Sequence, residues 1–177
     1  MFIDILSYSH TKEQRIKDLY EIFFKTTTAD ISTDEKCESL IAKYVTPYIK
    51  NWPDDVFFVC DLASQKTIGY LTGCRNSTAA AILFASQLKS YEVFADLFVR
   101  FPAHLHINIH PDWHGKGVGS FLIQEYIIEL KKYKIKGVHI VTSPDSKNVD
   151  FYSKHMFTLK VQRVFNSKNL LFMGKRL

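Results

Sequence analysis

Much is missing from this chain, and each absence excludes something. No apolar run in its 177 residues approaches the ~18 that a membrane-spanning helix needs. The opening Met1-Phe2-Ile3-Asp4 has neither a basic n-region nor a long apolar h-region, so no signal peptide is expected. Cysteine is scarce. Cys37, Cys60 and Cys74 are widely spaced and give neither a disulfide framework nor a zinc set. They read as small core residues of a cytoplasmic protein. The basic excess is mild, 23 lysines and arginines against 18 carboxylates, or +5. These charges are scattered along the sequence rather than striped, which argues against a nucleic-acid footprint. Two familiar phosphate signatures are also absent. There is no G-x-x-x-x-G-K-[ST], and Gly115, Gly117 and Gly119 do not make G-x-G-x-x-G, whose next glycine would fall at Ser120 or Leu122. No repeat, low-complexity tract or linker interrupts the chain. A hydrophobic content of 46% with 14% aromatics excludes disorder and predicts one domain, 1–177, with a full core.

The elements follow from periodicity. Phe2 to Tyr8 alternates at Ile3 and Ile5 as a strand. Thr11-x-x-Gln14 is a capping box before a helical face of Ile16, Leu19, Tyr20 and Phe23. Ser32-x-x-Glu35 is a second box, opening a helix through Cys37, Leu40, Ile41, Tyr44 and Val45 that Pro47 should kink or end. Val56–Leu62 and Thr67–Cys74 flank the turn Ser64-Gln65-Lys66 as a hairpin. Ala79 to Leu88 is helix-prone, and Tyr91, Phe94 and Phe98 continue the spacing. After Lys136-Gly137, Val138, Ile140 and Thr142 alternate as a fifth strand. Ser143-Pro144-Asp145 reads as a turn and helix N-cap, and Asn148 to His155 as a short helix. Phe157–Phe165 and Leu170–Arg176 flank residues 166–169 as a last hairpin.

One stretch stands out. Leu105, Ile107 and Ile109 alternate with His104, His106, Asn108 and His110 as a strand, which Pro111 stops by removing a backbone donor. Glycines follow at 115, 117 and 119. Val118, Leu122, Tyr126 and Leu130 then recur every fourth residue as a helix stripe. A glycine-rich turn feeding a helix N-terminus offers unpaired N–H groups and the positive end of a dipole to an anion, and Lys116 adds a charge. Taken alone, the glycines suit a tight turn with no ligand equally well.

His114-Gly115-Lys116-Gly117-Val118-Gly119 resembles the acetyl-CoA signature of the GNAT superfamily of N-acetyltransferases, [Q/R]-x-x-G-x-[G/A], with His114 in place of Gln or Arg. Asp145-x-x-Asn148-x-x-Phe151-Tyr152-Ser153-Lys154-His155-Met156-Phe157 is similar to the family's N-x-x-A-x-x-F-Y-x-K-x-G-F, with Asp145, Asn148 and Met156 replacing Asn, Ala and Gly. The lead-in Phe101-Pro102-Ala103-His104-Leu105-His106-Ile107 looks like the acetyltransferase-like domain of O-GlcNAcases and its stand-alone bacterial relatives. The resemblance implies an α/β (mixed α+β) GNAT fold. Its twisted mixed sheet has about seven strands, with helices on both faces and a V-shaped cleft between strands four and five. Residues 77–101 become a helical insertion beside the acceptor, or else a helix that simply caps the core.

The implied activity is transfer of an acetyl group from acetyl-CoA to an amine acceptor, a small molecule or a protein. A homodimer through the C-terminal strands stays open. By resemblance, Ile107 and Ile109 present main-chain groups to the pantetheine, a main-chain role beside side chains that pack. The amides of Gly115, Lys116, Gly117, Val118, Gly119 and Ser120 face the pyrophosphate, with His114, Asn148, Tyr152 and Lys154 completing the cofactor set. Tyr152 would protonate the leaving thiolate, or else be a packing aromatic. The fourth strand holds no carboxylate; His106 or His104 is the candidate base, or else these histidines are satisfied structural residues and a desolvating cleft supplies the neutral amine. Its histidines lack the cysteine or carboxylate neighbours of a metal site, so none is expected. The rival reading is a weak or inactive acetyltransferase-like module that binds acetyl-CoA or a protein partner.

Overall fold

The computed structural model describes residues 3–8, 13–86 and 88–177. Seven strands, β1 (Ile3–Ser7), β2 (Val56–Asp61), β3 (Thr67–Cys74), β4 (Ala103–Ile109), β5 (Gly137–Thr142), β6 (Leu159–Phe165) and β7 (Lys168–Arg176), form one sheet in the order β1-β2-β3-β4-β5-β7-β6. Antiparallel ladders join β1–β2, β2–β3, β5–β7 and β6–β7. β4 and β5 run parallel through Ala103↔Val138 and His104↔His139. The helices are α1 (Glu13–Thr26), α2 (Asp34–Tyr44), α3 (Thr46–Asn51), α4 (Ser77–Phe84), α5 (Val118–Lys132) and α6 (Asn148–Lys154). This is the mixed seven-stranded α/β architecture that the sequence implies. No helix among the described residues is long and apolar enough to cross a membrane.

The chain divides into two compact units, Met1–Gly73 with His106–Tyr126, and Cys74–Leu105 with Ile127–Leu177. In the first unit, α1 buries Leu19, Ile22 and Phe23. The capping box expected at Thr11 lies outside the described residues. α2 starts one residue later than its expected box: Thr33 is the N-cap, its hydroxyl accepting from the Lys36 N–H at 3.3 Å. The helix does end before Pro47, at Tyr44, with a break at Val45, and Pro47 then sits in the first turn of α3, where a missing N–H costs nothing. The cores of β2 and β3 meet α5 through Val118, Leu122 and Tyr126, all at most 1% exposed.

In the second unit the helical spacing read through 77–101 breaks. α4 stops at Phe84, and Lys89–Leu97 is a 3₁₀ segment kinked at Phe94 (φ −115°, ψ 22°). The kink lets Phe94, Phe98 and Phe101 converge on Phe172 of β7. His139 stacks between Phe98 (5.2 Å) and Phe172 (4.6 Å). The last hairpin turns on two residues, Asn166 (φ 48°) and Ser167 (φ 61°), tighter than the four-residue loop expected and matched to the strand twist. Asp145 is not a helix cap. Lys147 holds that position without a side-chain bond, and the Asp145 N–H donates to Ser143 Oγ (3.4 Å).

α6 ends in a Schellman motif: Phe157 N–H donates to Tyr152 O (3.1 Å) and Met156 N–H to Ser153 O (3.0 Å). Met156 therefore occupies the left-handed position, at φ 65°. That geometry explains the glycine of the family pattern. Met156→Gly is expected to stabilise the fold by about 0.5–1 kcal/mol, because left-handed strain exceeds the entropy that glycine loses. Thermal melting of the two proteins checks this, and a lower melting temperature in the glycine variant contradicts it.

Candidate active site

In the first unit, β4 delivers the chain into the glycine loop. The His110 N–H donates to Ile68 O at 2.9 Å, fixing the strand's end, and Pro111–Trp113 forms one 3₁₀ turn. Gly69 makes room for this junction: a Cβ there would stand 2.6 Å from Ile109 Cδ1. Gly115 (φ +72°) and Gly117 (φ +82°) are both left-handed, and a Cβ on either would meet nothing within 4 Å. So the dihedral angle, not crowding, requires glycine, and the loop faces open space. Phe121 N–H to Gly117 O (3.0 Å) is the bond that starts the 15-residue helix α5. The amides before it lie at the positive end of the dipole, in an alternating backbone suited to cradling an anion. Lys116 rests its ammonium 4.8 Å from the Trp113 ring centre. His114 has a structural task, because its Nε2 stands 2.9 Å from Ile109 O and closes the loop onto the strand.

The polar face of β4, uniform in the sequence, has four separate fates. His104 is 3% exposed, and Ser77 Oγ and Tyr91 Oη each lie 2.9 Å from its Nδ1. Burial, first, pushes the Tyr91 phenol up. Asn108 Nδ2 donates to Tyr70 Oη at 2.6 Å. His110 Nε2 stands 2.9 Å from Lys25 Nζ, which also binds Glu21 Oε1 at 2.5 Å. His106 packs edge-on against Tyr48, with ring centres 5.7 Å apart. The His106 side chain is solvent-exposed, and desolvation by the protein around it lowers its pKa to about 4.

Nothing in the periodicity marks Tyr48 or Tyr70 as partners of this face. Tyr70 becomes identifiable only once β3 is known to lie beside β4. A separate recess of about 450 Å³ in this unit, lined by Asp18, Glu21, Lys25, His110 and Trp113, contains no residue of 114–120.

The depressed His106 pKa has a consequence for stability. Its neutral form is favoured in the folded chain, so its contribution is fully present above the unfolded value near ~6.5 and is lost as pH falls toward about 4. His106→Gln is expected to flatten the fall in melting temperature between those two pH values. An unchanged pH profile in the variant overturns the assignment.

The second unit holds the other candidates. Tyr152 is 5% exposed, with its ring 5.2 Å from Phe151 and 5.3 Å from Phe157. Its hydroxyl has no hydrogen-bond partner among the described residues, and burial pushes the phenol pKa up. Thr142 Oγ1 donates to Asn148 Oδ1 at 3.2 Å, tying the end of β5 to the start of α6. Lys154 is exposed in the last turn of that helix.

Residues 53–159, more than half of the chain, match the acetyltransferase (GNAT) domain family, and the protein belongs to that family. No curated protein matches the sequence. Among solved structures, SsHAT is similar at a TM-score of 0.75 with 17% identity, covering 99% of this chain and 98% of that one. The PaiA N-acetyltransferase from Thermoplasma acidophilum in complex with coenzyme A is similar at 0.61, with 18% identity over 100% of both chains. An N-acetyltransferase from Staphylococcus aureus Mu50 gives 0.62, with 14% identity over 99% of both. At these identities the likeness is one of fold. Family and fold together make this an acetyltransferase domain.

Proposed function

We propose that the protein moves an acetyl group from acetyl-CoA directly onto an amine. The observation that carries this reading is the pair of left-handed glycines, Gly115 and Gly117, opening onto space at the N-terminus of α5. With Lys116, Val118, Gly119 and Ser120 they supply the amides and charge for a pyrophosphate. Ile107 and Ile109 supply main-chain groups for the pantetheine, His114 holds the loop against Ile109, and Asn148 and Lys154 complete the cofactor set. The coenzyme A complex of a protein similar in fold supports the same choice of cofactor.

In the reaction the amine nitrogen attacks the thioester carbon, the C–S bond breaks, and the ammonium proton ends on sulfur. Tyr152 donates a hydrogen bond to the departing thiolate. His106 accepts one from the amine. With a pKa of about 4 it is a poor standing base for an amine of ~10, a gap of about six units or ~8 kcal/mol. His106 therefore orients the nucleophile rather than holding its proton. Positioning of that kind contributes ~7–11 kcal/mol in well-aligned reactions. His104, through Ser77 and Tyr91, keeps β4 in place.

That same depressed imidazole, with no carboxylate on β4, favours a second reading: a module that binds acetyl-CoA without turning it over. The lead-in from Phe101 to Ile107, similar to the acetyltransferase-like domain of O-GlcNAcases, points the same way. Incubation with radiolabelled acetyl-CoA and a panel of amines, from polyamines to peptide N-termini, separates the two. Labelled product supports transfer. Acetyl-CoA binding with no product supports the module, and absence of binding removes both.

A further inference from the structure

The charges that look scattered in sequence are sorted in space. The first unit carries 9 lysines and arginines against 13 carboxylates, net −4, and the second carries 14 against 5, net +9. Two of those five carboxylates are already engaged. Arg163 Nη1 holds Asp96 at 2.6 Å, and Lys132 holds Glu129 at 2.9 Å.

The uncompensated charge gathers around a groove of about 520 Å³ in this unit. Arg100, Lys175 and Arg176 supply its cationic lining, the Lys175 ammonium donating to His155 O at 2.8 Å, and Phe101, Met156 and Leu159 supply its apolar lining. No carboxylate lines it. Lys131 lies close enough that, after burial, its charge helps to hold the Lys175 ammonium below its usual range. Lys136 accepts the Leu177 N–H at 3.1 Å, which brings one more lysine to the same end of the sheet. Among the described residues, none of Arg100, Lys131, Lys136 and Arg176 pairs with a carboxylate. A surface with this charge and no carboxylate partner among the described residues is complementary to an acidic one.

We propose that this groove docks an extended acidic peptide segment of a partner protein, one that alternates carboxylates with apolar side chains. The cationic walls match the carboxylates. The exposed thioether of Met156, 62% accessible, is an adaptable seat for an apolar side chain. Leu159 and Gly174, both in the lining, face each other across the β6–β7 ladder. A single-stranded nucleic acid fits less well, because it needs exposed aromatic faces on which to stack. The one aromatic in the lining, Phe101, is 1% exposed.

The proposal is independent of acetyl transfer. It is tested on the whole chain by fluorescence anisotropy with a labelled peptide alternating glutamate and valine, its lysine-for-glutamate counterpart, and oligouridylate. The acidic peptide is expected to bind, and to lose at least about tenfold in affinity between roughly 0.05 and 0.5 M salt. Arg100→Glu with Arg176→Glu should reduce affinity by more than about tenfold, and the milder Arg100→Gln with Arg176→Gln by several-fold. Both pairs should leave the acetyl-CoA titration unchanged, which shows that they fold. Affinity for the acidic peptide that survives both pairs, equal binding of the lysine peptide, or tighter binding of oligouridylate each overturns the proposal.

Discussion

Replacing Gly117 by aspartate is expected to weaken acetyl-CoA binding about a hundredfold while leaving the fold intact. Two effects add. At φ +82° a side chain imposes left-handed strain of ~1 kcal/mol. A carboxylate a few ångströms from a pyrophosphate adds repulsion of ~2 kcal/mol at a partly solvated site, less than the ~4 kcal/mol of a close surface pair. Their sum corresponds to roughly two decades in affinity. Nothing lies within 4 Å of the added Cβ, so the substitution does not disturb packing. Gly117→Ala separates the two effects, since it keeps the strain without the charge and should cost about fivefold. Calorimetric titration of all three proteins checks this. Equal losses in the alanine and aspartate variants exclude a bound anion at this turn, and unchanged affinity in both excludes the loop from the cofactor site.

That loop was legible because its signal is local. Left-handed turns select glycine, and a strand stopped by Pro111 must feed a helix whose stripe begins at Val118. The same holds for three strands, whose alternation was readable at Ile3 and Ile5, from Leu105 to Ile109 and from Val138 to Thr142, whereas Val56–Leu62 was readable only as an apolar run. The departures have a common physical origin in tertiary contacts. The first cap moved by one residue to Thr33, because either of two neighbouring hydroxyls can satisfy a first-turn N–H, and the second moved by two to Lys147, whose side chain caps nothing. The helical spacing through Tyr91, Phe94 and Phe98 gave way to a kinked 3₁₀ segment, because packing against Phe172 outweighs the local periodicity.

The histidine face of β4 shows the limit most clearly. Alternation places His104, His106 and His110 on one side, but it carries no information about depth. Ser77 and Tyr91 cover His104, Lys25 meets His110, and of the three only His106 is exposed. Met156 is the reverse case: an irregular residue in the family pattern, unexplained in sequence, that the helix end accounts for directly.

Tyr152→Phe is expected to lower kcat by about a hundredfold and to leave the acetyl-CoA dissociation constant within twofold. The variant removes one oxygen. Its ring keeps the contacts with Phe151 and Phe157, and the hydroxyl has no protein partner to abandon, so stability should change little. Burial raises the phenol above its ordinary value near ~10, so Tyr152 stays protonated over the whole working range. Two consequences follow from that sign. No alkaline loss of activity below about pH 10 belongs to this residue. Complete transfer of its proton to a free thiolate is uphill, so its contribution is a hydrogen bond that strengthens as charge develops on sulfur, the transferred proton coming in the end from the amine. The effect must then depend on the leaving group. With an aromatic acetyl thioester, whose thiolate departs without help, the variant should lose much less than with acetyl-CoA. Steady-state rates for both donors, measured on both proteins across the pH range, decide the matter. An equal loss with the two donors would make Tyr152 a packing residue, and no loss with either would remove it from the chemistry.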